Sequence, residues 1–372
     1  MNIGIPKEDP RRDRRIALTP AAVHTLISAG ANVFIEKDAG EGAHFTNQKF
    51  EEVGAKIAYT QDEVYKRADI VLKVSPPSET DVDKLLDSQI LISAMHLAVA
   101  KPKVVEFLST KKVCAVAIEL LEDEKGDMPV LSAMSEIAGL MCIQVASRYL
   151  ENTNNGRGIL LGGLTGVAPA SVVILGAGTV GRAAARVALG VGAQVVVLDK
   201  DLNRLRSLEQ QFNYRITTGL VNEYNIRKAI EYADVLIGAV LIKGEKAPRL
   251  VTENMVKLMK PGSVIIDVSI DQGGCIETSR PTTLDNPVYI QHNVIHYCVP
   301  NMAANVARSA AFALTNSLLP FLVELVENGL EKTIKEKIGF AKGIVMYDGF
   351  CTQESIAKRF GIEYKNINTL IK

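Results

Sequence analysis

A chain of 372 residues in which 42 Lys and Arg balance 42 Asp and Glu has no formal net charge, so no global field concentrates nucleic acid or anionic lipid on its surface, and a small-molecule partner is expected. With 47% hydrophobic and 23% charged residues, the composition excludes a disordered or fibrous chain, and the length suits two cores rather than one. The cysteines Cys114, Cys142, Cys275, Cys298 and Cys351 are odd in number and lack CxxC spacing, which argues for reduced thiols against a disulfide framework or a zinc site; no metal is expected.

The chain opens on Met1-Asn2-Ile3-Gly4-Ile5-Pro6 without a basic segment followed by an apolar run, so a cytoplasmic protein is expected. Apolar runs at 2–5, 32–36, 69–74, 89–93 and 113–118 alternate with helical segments, the pattern of a parallel α/β sheet. Pro76-Pro77-Ser78 reads as a turn. A helical segment over 132–149 ends at Asn152-Thr153-Asn154-Asn155-Gly156 and carries the expected domain junction. In the second series, strands are expected at 171–175, 194–198, 233–237 and 263–267, continuous apolar runs that suit strands covered on both faces. The stretch 309–326 comes closest to a membrane span, but Asn316, Pro320 and Glu324 interrupt it; it reads as a buried core helix, and no membrane partner is expected. The remaining tail is too short for a domain and should return to the first one. The predicted fold is α/β with two Rossmann-like, doubly wound domains: a discontinuous first domain of 1–131 plus 307–372, and a second of 132–306.

Gly176-Ala177-Gly178-Thr179-Val180-Gly181 follows an apolar strand and opens a helix, the context that a dinucleotide-binding glycine loop requires. The next strand ends in Asp199, 18 positions after Gly181, where a carboxylate can accept from an adenosine ribose and repel a 2′-phosphate. NAD is therefore expected over NADP, with Lys200 and Arg204 nearby; a glycine turn beside an ordinary aspartate is the plainer account. His96 lies just past a predicted strand, where an imidazole can act as general acid and base or simply be a satisfied core histidine. His24, His44, His292 and His296 read as structural. Arg15, in the run Arg11-Arg12-Asp13-Arg14-Arg15, can grip a carboxylate or belong to a solvated charge run. Strand alternation puts Lys73 and Ser75 on one face, Lys73 either reaching a ligand or decorating a strand end. Asp271 precedes Gly273-Gly274, a pair that permits close backbone approach to a ligand or an ordinary turn.

Several further motifs stand in order along almost the whole chain: Gly4-Ile5-Pro6-Lys7-Glu8, Arg15-Ile16-Ala17-Leu18-Thr19-Pro20, Met134-Ser135-Glu136-Ile137-Ala138-Gly139, Lys246-Ala247-Pro248, Asp271-Gln272-Gly273-Gly274-Cys275 and Tyr297-Cys298-Val299-Pro300-Asn301-Met302. Together with the glycine loop they resemble the alanine dehydrogenase and pyridine nucleotide transhydrogenase family, and the run 271–283 resembles its alanine dehydrogenase branch. The resemblance implies NAD-dependent, reversible oxidative deamination of L-alanine to pyruvate and ammonia by a homo-oligomer, a hexamer. It gives Arg15 the substrate carboxylate, His96 the proton transfers and Asp271 the completion of the proton network. Ser135, Gly176, Gly178, Gly181, Asp199, Asn301 and Met302 become cofactor contacts. Two positions depart from the family: Arg12-Asp13 stands where Asn-Glu is usual, and Lys73-Val74-Ser75 stands where the family has Lys-Val-Lys with a catalytic lysine last. Ser75 leaves three expectations open: Lys73 compensates, the enzyme is slow, or the substrate is another amino or imino acid; a transhydrogenase-like nucleotide-binding module without turnover is a separate rival.

Overall fold

The computed structural model describes residues 1–242 and 246–371. In chain order the strands are β1 (Asn2–Ile5), β2 (Asn32–Glu36), β3 (Lys56–Ala58), β4 (Ile70–Leu72), β5 (Ile90–Ser93), β6 (Cys114–Ala117), β7 (Ser171–Leu175), β8 (Gln194–Asp199), β9 (Thr217–Leu220), β10 (Val235–Gly238), β11 (Val264–Asp267), β12 (Val288–Gln291), β13 (Val294–Tyr297), β14 (Ile344–Tyr347) and β15 (Phe350–Cys351). Two compact units divide the chain, Met1–Met134 with Ala304–Lys372, and Ser135–Ala303. The divisions fall three residues inside the expected second domain at each end.

Unit one holds a sheet in the order β15-β14-β6-β5-β4-β1-β2-β3. Ile70 and Leu72 of β4 face one apolar cluster and Val71 the other, and Leu91 of β5 likewise opposes Ile90 and Ile92. Both faces are therefore covered, which is why these strands are apolar throughout rather than alternating. The helix Ala307–Asn328 lays Leu314, Leu318, Leu322 and Leu325 at i, i+4 and near-i+4 spacing into the first cluster, each at most 1% exposed, burial worth about 1.5–3 kcal/mol per leucine. Pro129–Tyr149 and Met302–Asn328 are long and apolar enough to cross a membrane by length and composition alone; the buried leucine stripe gives the second a core role.

Unit two has the order β12-β13-β11-β10-β7-β8-β9, with Val173, Leu175, Val196, Leu198, Leu236 and Ile265 in one cluster and Val172, Ile174, Val195, Val197, Val235 and Ile237 buried on the opposite face. Pairing is parallel except at edges: β14 is antiparallel to both β6 and β15, and β12 to β13. The returning tail thus completes the first sheet as antiparallel strands that the parallel reading did not foresee.

Candidate functional site

Open α/β sheets place ligands outside the carboxyl ends of their strands, where the strand order reverses. In unit one that reversal lies between β1 and β4, because β1, β2 and β3 run to one edge and β4, β5 and β6 to the other. The segment leaving β1 carries Glu8, Asp13 and Arg15; the segment leaving β4 carries Lys73 and Ser75.

Carboxylates tie the two segments together. Glu8 is buried and accepts from Lys73 Nζ at 3.0 Å and from the backbone N–H of Val74 and Ser75 at 2.7 and 3.2 Å. Asp13 accepts from Arg15 Nε at 2.9 Å, Arg15 Nη2 at 2.5 Å and the Arg15 backbone N–H at 3.0 Å, and from Ser75 Oγ at 2.9 Å. Burial alone would raise the Asp13 carboxyl, but the adjacent Arg15 guanidinium outweighs it and holds the group below its ordinary value. Arg15 Nη1 lies 3.3 Å from the Met134 sulfur. Far from joining a solvated charge run, Arg15 is 4% exposed.

Lys73 is buried among carboxylates. Its ammonium is 3.0 Å from Glu8 and 3.5 Å from Asp81, which also accepts from the Tyr65 hydroxyl. Burial works against the charged form, yet the two carboxylates prevail and its pKa is raised. The side chain therefore closes a buried network between Glu8 and Asp81. Ser75 is partly buried and is drawn to Asp13.

His96 lies beyond β5 with φ 41°, a left-handed conformation that an L-residue adopts only when its surroundings enforce it. Glu119, just beyond the neighbouring β6, holds the backbone entering this residue by accepting from the N–H of Met95 at 3.1 Å and of His96 at 2.7 Å. Its Oε1 is also 3.7 Å from His96 Nδ1. Sequence reasoning missed Glu119 and Glu8; the available signal was an acidic residue just past a strand adjacent to one already implicated.

In unit two the order reverses between β7 and β10, and the glycine loop leaves β7 there. Gly176 has φ 110°, and a Cβ on it would lie 2.4 Å from the Ala239 carbonyl beyond β10; one on Gly181 would lie 1.9 Å from the Gly176 carbonyl. Around Gly178 a Cβ would meet nothing within 4 Å. Gly178 caps the helix Thr179–Gly190 without a side-chain hydrogen bond, so first-turn N–H groups and open space coincide, which fits a pyrophosphate. Asp199 accepts from the Ala177 and Asp201 N–H groups at 2.6 and 2.8 Å, placing the carboxylate beside the loop as a ribose contact requires.

Asp271 follows β11 in the turn Val268–Gln272 and accepts from the Asn301 N–H at 3.0 Å. Asn301 has φ 55°, while Gly273 and Gly274 have φ 94° and 81°. Met302 is 3% exposed and Ser135 is half-buried. Asp267 pins this turn by accepting from the Cys275 and Ile276 N–H groups. His296, fully buried, bonds Thr278 and the Val294 carbonyl, and desolvation lowers its pKa to about 4; it remains neutral and structural. All five cysteines are free and buried, and no group of metal-binding side chains occurs among the described residues.

A doubly wound unit with a glycine loop, and a second unit with a histidine, carboxylates and a buried arginine past its strand ends, define a nucleotide-binding α/β oxidoreductase. Family models described as the N- and C-terminal domains of alanine dehydrogenase/PNT match residues 4–138 and 142–354. An alanine dehydrogenase of Methanococcus maripaludis is 44% identical, with 98% of both chains covered, and one of Halomonas elongata is 41% identical over the whole of both. A solved L-alanine dehydrogenase superposes with a TM-score of 0.90 at 40% identity, covering 97% of this chain and 99% of that one. A transhydrogenase from Sinorhizobium meliloti shares the fold, with a TM-score of 0.77 at 24% identity and coverage of 95% and 100%. The chain belongs to the alanine dehydrogenase/PNT family and is an amino-acid dehydrogenase, and this family implies a nicotinamide nucleotide cofactor.

Proposed function

We propose that this enzyme catalyses the NAD-dependent, reversible oxidative deamination of L-alanine to pyruvate and ammonia. The observation that carries the reading is that Arg15, His96 and Glu119 all follow the carboxyl ends of strands of one sheet, β1, β5 and β6, on a chain similar throughout to enzymes named alanine dehydrogenase. Arg15 holds the substrate carboxylate and so orients the α-carbon. The Glu119 carboxylate near Nδ1 favours a proton there, leaving Nε2 of His96 to take a proton from water attacking the imine and to return one as ammonia departs. Asp271 supports these proton movements. Ser135, Gly176, Gly178, Gly181, Asn301 and Met302 would hold NAD, which would supply a hydride acceptor for the α-carbon, and Asp199 would select it over NADP by its negative charge.

The test is NADH formation followed at 340 nm with L-alanine and NAD, alongside a panel of other amino acids and NADP. Turnover on alanine with NAD preferred supports the proposal. Faster turnover on another amino acid favours the second reading that Ser75 motivates, a different small substrate, and nucleotide binding with no turnover would sink both. The balanced charge and buried free thiols support a cytoplasmic enzyme without nucleic-acid or membrane partners. Exposed Leu160, Leu164 and Val167 around the Leu164 to Val167 bridge offer apolar surface for a homo-oligomer, with the hexamer of the family resemblance as the expected size; light scattering on the purified protein measures it.

A further inference from the structure

We infer that Asp13 is a positioning residue that aims the Arg15 guanidinium, and that Ser75 acts on the substrate through Asp13 rather than by touching it. The inference rests on the reading of Arg15 as the carboxylate anchor. A guanidinium is a rigid planar fork on a flexible stem, so what it presents depends on what fixes its plane. Here one carboxylate fixes both ends of the residue, accepting from the Arg15 backbone N–H and from Nε and Nη2 of its head group. With the Nε edge against Asp13, the direction of the Nη1 and Nη2 edge is set.

Asp13 is held in turn from across the strand-order reversal by Ser75 Oγ at 2.9 Å, and the Ser75 backbone by Glu8. An ionised carboxylate only accepts, so in this contact the serine must donate, and a hydroxyl has a single proton to donate. While it is engaged with Asp13, Ser75 presents only lone pairs, which cannot stabilise a substrate carboxylate or a developing oxyanion. An ammonium, with three donors, could serve both, so serine at this position changes the job and does not merely weaken it. The substrate carboxylate then depends on the single pre-aimed guanidinium, and misalignment of that group should appear in substrate affinity.

Steady-state kinetics of pyruvate, ammonia and NADH test this with four variants. Arg15→Lys checks the anchor: an unchanged KM for pyruvate overturns the carboxylate assignment and this inference with it. If that KM rises, Asp13→Asn should raise it about tenfold or more, the scale of a lost charge-assisted hydrogen bond. Ser75→Ala should raise it by about two- to tenfold. Ser75→Thr, which keeps the hydroxyl, should restore it, with KM for NADH unchanged in every variant. In the double variant Asp13→Asn with Ser75→Ala, the serine change should add nothing, because its effect runs through Asp13; multiplying effects would mean direct contact and overturn the inference. Should Asp13→Asn fail to fold, the Ser75 pair decides: a KM for pyruvate unchanged in Ser75→Ala, or unrestored by Thr, refutes the positioning role while leaving the Arg15 anchor standing.

Discussion

Lys73→Ala removes a cation whose side chain is 4% exposed, between Glu8 and Asp81 at 6% and 10%. Glu8 cannot turn to solvent without opening the contacts that join the segments after β1 and β4, nor Asp81 without leaving the Tyr65 hydroxyl and Ser78. Breaking one side of a buried ion pair costs about 3–5 kcal/mol, and in a unit of about 200 residues each kcal/mol lowers Tm by about 2–4 °C, so a loss of about 6–20 °C is expected by calorimetry. In the wild type, burial alone would raise the Asp81 carboxyl, but Lys73 holds it below its ordinary value. The stability it contributes is therefore present above the unfolded-state value and lost as pH falls through the folded one. The gap in Tm between wild type and variant should accordingly narrow in acid. A variant that melts with the wild type but shows a raised KM for pyruvate would refute the argument and return Lys73 to the substrate.

Glu119→Gln keeps the size and removes the charge beside His96 Nδ1; kcat should fall by about one to two orders of magnitude with KM for NADH unchanged, and an undiminished kcat would separate Glu119 from the histidine. Gly181→Ala drives a Cβ to 1.9 Å from the Gly176 carbonyl, so the loop must shift, and NADH affinity measured by fluorescence titration should drop about tenfold or more as first-turn donors are displaced; wild-type affinity would show that the loop does not bind the cofactor. His296, lowered to about 4 by desolvation, costs the fold stability as pH falls from its unfolded value near 6.5 towards 4, with a slope of up to about 1.4 kcal/mol per pH unit. Melting temperatures of His296→Gln should lose that part of the acid slope, and an unchanged slope would assign it to other groups.

The parts of the fold legible in the sequence were those buried on both faces. β7, β8 and β11 are runs of Val, Ile and Leu whose register the cores fix, and they lie within a residue of expectation. Of the strands passed over, β3, β9, β12 and β15 lie at sheet edges, where β3 has three residues, β9 carries Gly219 and exposed ends, and β12 is only partly buried, whereas β13 and β14 are buried interior strands with antiparallel partners. An edge strand has one neighbour and half a core, so its composition drifts towards that of a loop. Among the site residues, the glycine loop was legible because backbone geometry restricts its composition. Lys73 was not, since alternation gives the direction of a Cβ but not which of several carboxylates a four-carbon stem will meet.

The left-handed conformation of His96 links stability to chemistry. Such a backbone costs of order 1–3 kcal/mol and persists only where neighbours over-determine it. The neighbour here is one carboxylate, Glu119, which receives the N–H groups of Met95 and His96 and lies beside the ring nitrogen. An extended conformation at residue 96 would rotate the Cβ about the N–Cα bond and carry the ring off the carboxylate. A single acidic residue on the adjacent strand end thus sets both the path of the chain and the facing of the imidazole. Asn301 repeats the device in unit two, with φ 55° and its N–H on Asp271. In each unit, a strained residue just past a strand end is held by a carboxylate from a neighbouring strand end. The strain falls on the residues proposed to meet substrate and cofactor, where a relaxed backbone would let the side chain wander.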